Sequence, residues 1–89
     1  MNGRWRLAED VLLTGEPASR FLTRVSTGET FALNETASAV VDLAVGGASQ
    51  HEIVMALRAA RPDAREREVW RDVRDVLQEV ARLALVVPE

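Results

Sequence analysis

Apolar residues in this chain change their spacing once. As far as Leu33 they alternate or come in short runs, and from Glu35 onward they recur every three or four positions. Val11 to Thr14 is the first clear strand, closed by Gly15-Glu16-Pro17, because proline lacks a ladder donor and restricts the residue before it. Phe21, Thr23 and Val25 alternate with Leu22, Arg24 and Ser26, which predicts a half-buried strand whose Phe21 face is apolar. Thr27-Gly28 marks a tight turn, and Thr30 to Leu33 has the β-branched, aromatic and aliphatic residues of a third strand. Together these runs predict an antiparallel meander. Trp5 and Leu7 anchor a short extended segment before it, with Arg4 and Arg6 on the other side. Met1 to Arg4 has no core-forming pattern.

Asn34 is suited to cap a helix, so strand passes into helix across one residue. The first helix spans Glu35 to Val45, with Ala37, Val40, Val41 and Ala44 on one side and Gly46-Gly47 as its stop. Ser49 to Glu52 has the form of a capping box, opening a second helix of about three turns buried through Ile53, Val54 and Leu57. Pro62 ends it, and Asp63 with Glu66 predicts a second capping box. The third helix runs to Leu83, with Val69, Val73, Val76, Leu77, Val80 and Leu83 as its apolar stripe and charges of alternating sign elsewhere, a self-compensating face. Leu85 to Val87 is a short extended tail that packs beside the sheet or the first helix. The fold class is therefore α+β, a small sheet covered by helices.

With 89 residues the chain is expected to form one domain over positions 1–89 with a thin core. It has no cysteine and a single histidine, His51, so neither a disulfide framework nor a Cys/His metal cluster is available. No metal and no cofactor is expected. No apolar run reaches membrane-spanning length and no leader pattern is present, so the expectation is a cytoplasmic chain with no membrane span. The net charge is −3 and every basic residue is arginine. That balance lacks the basic footprint of a phosphate-binding domain.

Catalytic groups are missing too. No carboxylate pair sits within an apolar stripe where burial would split its pKa values. His51 lies in the exposed first turn of a helix, and Ser38 and Ser49 read as helix surface and cap, with no base-orienting trio around them. Gly46-Gly47 has no phosphate-loop lysine after it. The chain is read as not an enzyme.

Three helices after a small sheet admit a helix-turn-helix reading, with the third helix in a major groove. Five acids among its arginines oppose that approach, and nucleic acid is not the expected partner. A different surface follows from the meander. Thr30 to Leu33 is its edge, with no lysine, proline or bulge to blunt it, and an extended peptide can add there as another strand. If the third helix lies alongside, it forms the other wall. Trp70, at the margin of the apolar stripe, is either a binding anchor or a cover for the core. Arg67, Arg71 and Arg74 form a ridge suited to acidic residues of a peptide, or pair within the helix with Glu68, Asp72 or Asp75.

The order V-L-L, a second strand, S-T-G-E-T-F-A-L-N-E-T-A, an apolar helix, G-G, S-x-x-E-I and a long last helix resembles the PqqD-like family, the peptide-recognition domains of ribosomally made, modified peptide pathways. Thr27 to Ala37 is similar to that family's T-G-x-x-Y/F-x-L-N-x-T-A/G, and the resemblance covers Asp10 to Val87. It implies a winged helix-turn-helix-like fold, a three-stranded antiparallel sheet followed by three helices. It further implies a domain that binds the leader segment of a precursor peptide as an added strand and presents it to a modifying enzyme. Carried onto this chain, the strand contacts are Glu29, Thr30, Phe31, Ala32 and Leu33, and the helix contacts are Val69, Trp70, Val73, Arg74 and Leu77. A short freestanding chain most resembles the leader-binding component of lasso-peptide clusters, working beside a leader peptidase. The alternatives are a PqqD-type chaperone for a radical enzyme in pyrroloquinoline quinone biosynthesis, a DNA-binding winged-helix regulator, and a structural subunit. A homodimer through the same edge strand stays open. The Gly15 to Ser19 connection is longer and more polar than the family pattern.

Overall fold

The computed structural model describes residues 4–89, so the expectation for residues 1–3 lies outside the described residues. The elements follow as β1 (Trp5–Leu7), β2 (Val11–Glu16), β3 (Ser19–Arg24), β4 (Glu29–Ala32), α1 (Glu35–Val45), α2 (Gln50–Ala60), α3 (Glu66–Arg82) and β5 (Val86–Pro88). Strands β2, β3 and β4 form an antiparallel sheet in chain order, and β1 pairs with β5 in a separate ribbon. Together with the three helices this is the α+β, winged-helix-like arrangement.

The connection expected to be long is a tight hairpin. Pairing continues to Glu16 opposite Ser19, leaving only Pro17 and Ala18 in the turn, with Ala18 at φ 72°. Pro followed by a residue of positive φ is the pattern of a type II turn. Gly15, at φ +96°, is required as well, because a Cβ there would run into the Ser19 carbonyl oxygen.

The face of β3 is the reverse of the expectation. Leu22 is completely buried, whereas Phe21 and Val25 are 39% and 59% exposed. The inward positions beside Leu22 are Arg20 and Arg24, whose guanidiniums find partners across the interface. Arg20 meets Asp42 of α1 at 3.0 Å. Arg24 meets Asp10 at 3.0 Å and donates to the carbonyls of Leu83 and Ala84 at 2.8 and 2.9 Å, tying the sheet to the end of α3. Alternation gave the strand correctly, but two arginines took the buried side and left Phe21 and Val25 outside.

Local chemistry explains the helix ends. The Asn34 side chain accepts the Ala37 N–H at 2.8 Å, and Ser49 and Glu52 form the reciprocal capping box. The second box fails. Residues 61–64 close a turn through Ala64 N–H to Arg61 O at 3.0 Å, and α3 starts after Arg65 with no side-chain cap. Asp63 therefore lies too far ahead of the helix to reach its free amides.

Two clusters share α1. Val40 and Ala44 face Ile53, Val54 and Leu57 of α2 and Val69, Val73 and Leu77 of α3. Val41 faces the other way, toward Val11, Leu22, Val80, Leu85 and Val86. The tail supplies part of this second cluster, since β5 lies against β1 in the register Leu7 with Val86. A buried hydroxyl fastens α1 to the sheet: Ser38 Oγ accepts the Arg20 N–H at 3.0 Å and donates to the Leu33 carbonyl at 3.3 Å.

Candidate peptide-binding edge and its flanking groove

Among the described residues β4 bonds β3 on one side only, so its other edge carries backbone groups with no strand partner there. Which groups these are follows from the ladder. Leu33 N–H donates to Arg20 O at 2.9 Å, which directs Leu33 and, two residues back, Phe31 toward β3. Thr30 and Ala32 turn their N–H and C=O outward. The turn that delivers β4 needs Gly28, at φ 78°, whose N–H donates to Arg24 O at 2.7 Å. Thr30 Oγ1 also lies 3.0 Å from Thr23 Oγ1 on the outer face, which fixes the register of this short strand.

The inward side chains of β4 form an apolar floor. Phe31 and, just past the strand, Leu33 are half-buried with Val76 of α3 and Leu83 after it, against the cluster that holds Leu22, Val41 and Val80. A hollow of about 230 Å³ opens between Leu33 and Ala37 on one side and Asp75, Val76, Glu79 and Val80 on the other. It shares Asp75 and Val76 with a second hollow of about 260 Å³, lined also by Asn34, Thr36 and Asp72. The two make one groove from the end of β4 along α3. Its floor is aliphatic and its helix rim acidic. Glu79 is held below the ordinary carboxylate range by hydrogen bonding from Arg82, 2.6 Å away.

The expected site residues divide into three groups. Glu29, Thr30, Phe31 and Ala32 form β4, and Leu33 lies just beyond it. Val69, Val73 and Leu77 are 0%, 0% and 3% exposed in the helix core, so the folded chain does not offer them to a ligand. Arg67, Trp70 and Arg74 are at the surface, but on the flank of α3 that faces α2, in a separate hollow with Gln50 and Arg71. Trp70 is half-buried against the helix core, with the His51 ring 6.1 Å away. The reason is rotational. At about 100° per residue, the 69–73–77 stripe points inward, the 72–75–76–79 side falls toward Leu33, just beyond β4, and the first turn of α1, and the 67–70–71–74 side falls toward α2. An apolar stripe alone does not distinguish these flanks.

The charges of α3 are also sorted. Glu68, Asp72, Asp75 and Glu79 fall within roughly 60° of one another, and Arg67, Arg71 and Arg74 within a separate arc of about 60°. The alternation in sequence thus becomes an acidic flank beside the groove and a basic flank beside α2. Asn34, Thr36, Ala37, Asp72, Asp75, Val76, Glu79 and Val80 were not among the expected site residues. The helical angle alone sorts Asp72, Asp75 and Glu79 onto one flank of α3, but it does not say which element that flank meets. No group of acids and histidines suited to a metal ion occurs among the described residues. No helix among them is long and apolar enough to cross a membrane.

A family model described as coenzyme PQQ synthesis protein D (PqqD) matches residues 19–86. Among solved structures, the chain is similar to TbiB1 in complex with the TbiA(beta) leader peptide, at 27% identity over 91% of this chain and 93% of that one, with a TM-score of 0.81. It is similar in fold to a lasso peptide synthetase B1 complexed with the leader peptide, at 18% identity over 96% of this chain and 99% of that one, with a TM-score of 0.83. No curated protein matches it in sequence.

Proposed function

This chain belongs to the PqqD family, and from that premise we propose that it is an adaptor for a ribosomally made precursor peptide, binding the leader segment as a strand on β4 and presenting it to a modifying enzyme. The observation that carries the reading is the free edge of β4, whose outward Thr30 and Ala32 backbone groups stand beside a groove with an aliphatic floor. Main-chain bonds to that edge supply affinity, and the groove selects side chains on one face of the guest strand. The likeness to TbiB1, which was determined with a leader peptide, supports the same assignment here.

The adaptor performs no reaction of its own. The enzyme it serves is proposed to be the leader peptidase of a lasso-peptide pathway. A PqqD-type role beside a radical enzyme is the second reading, favoured by the family match itself. The neighbouring genes separate the two: a short precursor gene with a peptidase and a cyclase supports the first, and a radical enzyme in their place supports the second.

Binding is tested by titrating a synthetic leader, taken from that neighbouring precursor gene, into isotope-labelled protein. The expected result is shifted amides from Thr30 to Leu33 and at Val76. Shifts confined to the Arg67 to Arg74 flank would place the peptide elsewhere and remove the strand-addition reading.

A further inference from the structure

The second flank of α3 plays no part in that groove, and its chemistry is the opposite. Arg67, Arg71 and Arg74 line a hollow of about 340 Å³ with Trp70 and with Gln50, the first residue of α2, and no acid lines it. In a chain of net charge −3 that segregation is against the average. The acids of α3 do not relieve it. Glu66 pairs with Arg58, Asp72 with Arg61 and Glu79 with Arg82, and only Asp75 reaches the ridge, at 3.5 Å from Arg74. Arg67 and Arg71, one helical turn apart, have no ion-pair partner among the described residues. Like charges at that spacing repel and weaken a helix, so the arrangement improves when an anion sits over it.

We propose that this flank is a second binding site, distinct from the β4 groove, which takes an extended acidic segment of a partner polypeptide. The spacing sets the class of ligand. Along a helix, Arg67 and Arg71 are separated by about 6 Å and Arg67 and Arg74 by about 10.5 Å. In an extended chain, side chains on one face recur about every 6.6 Å, so carboxylates at alternate positions meet successive guanidiniums. A single small anion spans only one of these. Trp70 gives an apolar wall against which an intervening side chain can rest. An extended chain is narrow enough to stay on the basic arc. A nucleic-acid duplex would also lie over Glu68, Asp72 and Asp75 on the adjoining arc, where its phosphates would be repelled. The proposal goes beyond the leader-binding reading and does not depend on it.

The test uses the whole chain and a fluorescein-labelled eight-residue peptide alternating aspartate and serine, followed by anisotropy at low salt. Binding by the native chain should weaken as salt is raised. Arg67→Glu with Arg71→Glu should lower affinity by about tenfold or more, since charge-assisted pairs become repulsions. Two controls keep the result specific. Arg6→Glu with Arg65→Glu makes the same change in net charge at exposed sites off this flank and should leave affinity within about twofold. Ala32→Pro, which blocks the β4 edge, should leave it unchanged as well. Equal losses in the flank variant and the charge-matched control would reduce the effect to bulk charge and overturn the proposal, as would absence of binding by the native chain. A mixed-sequence duplex that binds more tightly than the peptide, and is lost in the same flank variant, would reassign the surface to nucleic acid. If the double glutamate variant does not fold, Arg67→Gln with Arg71→Gln carries the same comparison.

Discussion

Ala32→Pro isolates the free edge from the rest of the fold. The Ala32 N–H points away from β3, so proline there removes no bond of the β3–β4 ladder, and edge strands are where sheets tolerate proline. Phe31, before it, is already extended, as a residue preceding proline must be. The effect on stability is expected to stay within about 1 kcal/mol. Binding is affected far more. A guest strand would bring a carbonyl to a position that no longer offers a donor, and an acceptor left unsatisfied on burial costs about 1–3 kcal/mol. That corresponds to a roughly five- to 150-fold rise in Kd, read by calorimetric titration of the leader peptide beside a urea melt of the free variant. Phe31→Pro is the contrast, since its N–H belongs to the β3 side and the substitution should unfold the strand. Unchanged leader affinity for a folded Ala32→Pro chain would refute strand addition at β4.

Val73→Ala should lower unfolding free energy by about 2–3 kcal/mol, because its side chain is fully buried among three helices and a cavity would remain, while leader affinity of the folded protein stays the same. A loss of affinity without a loss of stability would instead return Val73 to the binding surface. Ser38→Ala should cost about 1 kcal/mol in a denaturant melt, since it strips the half-buried Arg20 N–H of its acceptor. Asp10 is held below the ordinary carboxylate range first by the Ser26 hydroxyl and then by Arg24, and Glu52 by the Ser49 backbone N–H. A folded pKa below the unfolded one stabilises above the unfolded value and loses that contribution as pH falls through the folded one. Urea midpoints should therefore hold from neutral pH to about pH 5 and fall below about pH 4, and Asp10→Asn should remove part of the fall.

Features decided by neighbours in sequence are legible in the sequence alone. The Asn34 cap, the Gly46 stop and the Ser49–Glu52 box set the bounds of α1 and the start of α2, because each satisfies backbone groups within one turn. Features decided across the fold were not. The β1–β5 ribbon joins segments from opposite ends of the chain, and nothing local in Trp5 to Leu7 names its partner. The inward face of β3 depended on Asp42 and Asp10 being placed to receive Arg20 and Arg24, so hydrophobicity alone chose the wrong side. The strand half of the candidate site was readable because an edge follows from a meander in chain order. The helix half needed to know which flank of α3 turns toward β4, and a periodic stripe leaves that rotation open. The sorting of acids from arginines around α3, by contrast, needed only the helical angle and was present in the sequence throughout.

Amide hydrogen exchange, residue by residue with and without the leader peptide, tests the central claim most directly. In the free chain Thr30 and Ala32 should exchange quickly while Phe31 and Leu33, bonded to β3, exchange slowly, and leader should slow Thr30 and Ala32 to the rate of their neighbours. Thr30 and Ala32 already slow in the free chain, or still fast at saturating leader, would contradict the account.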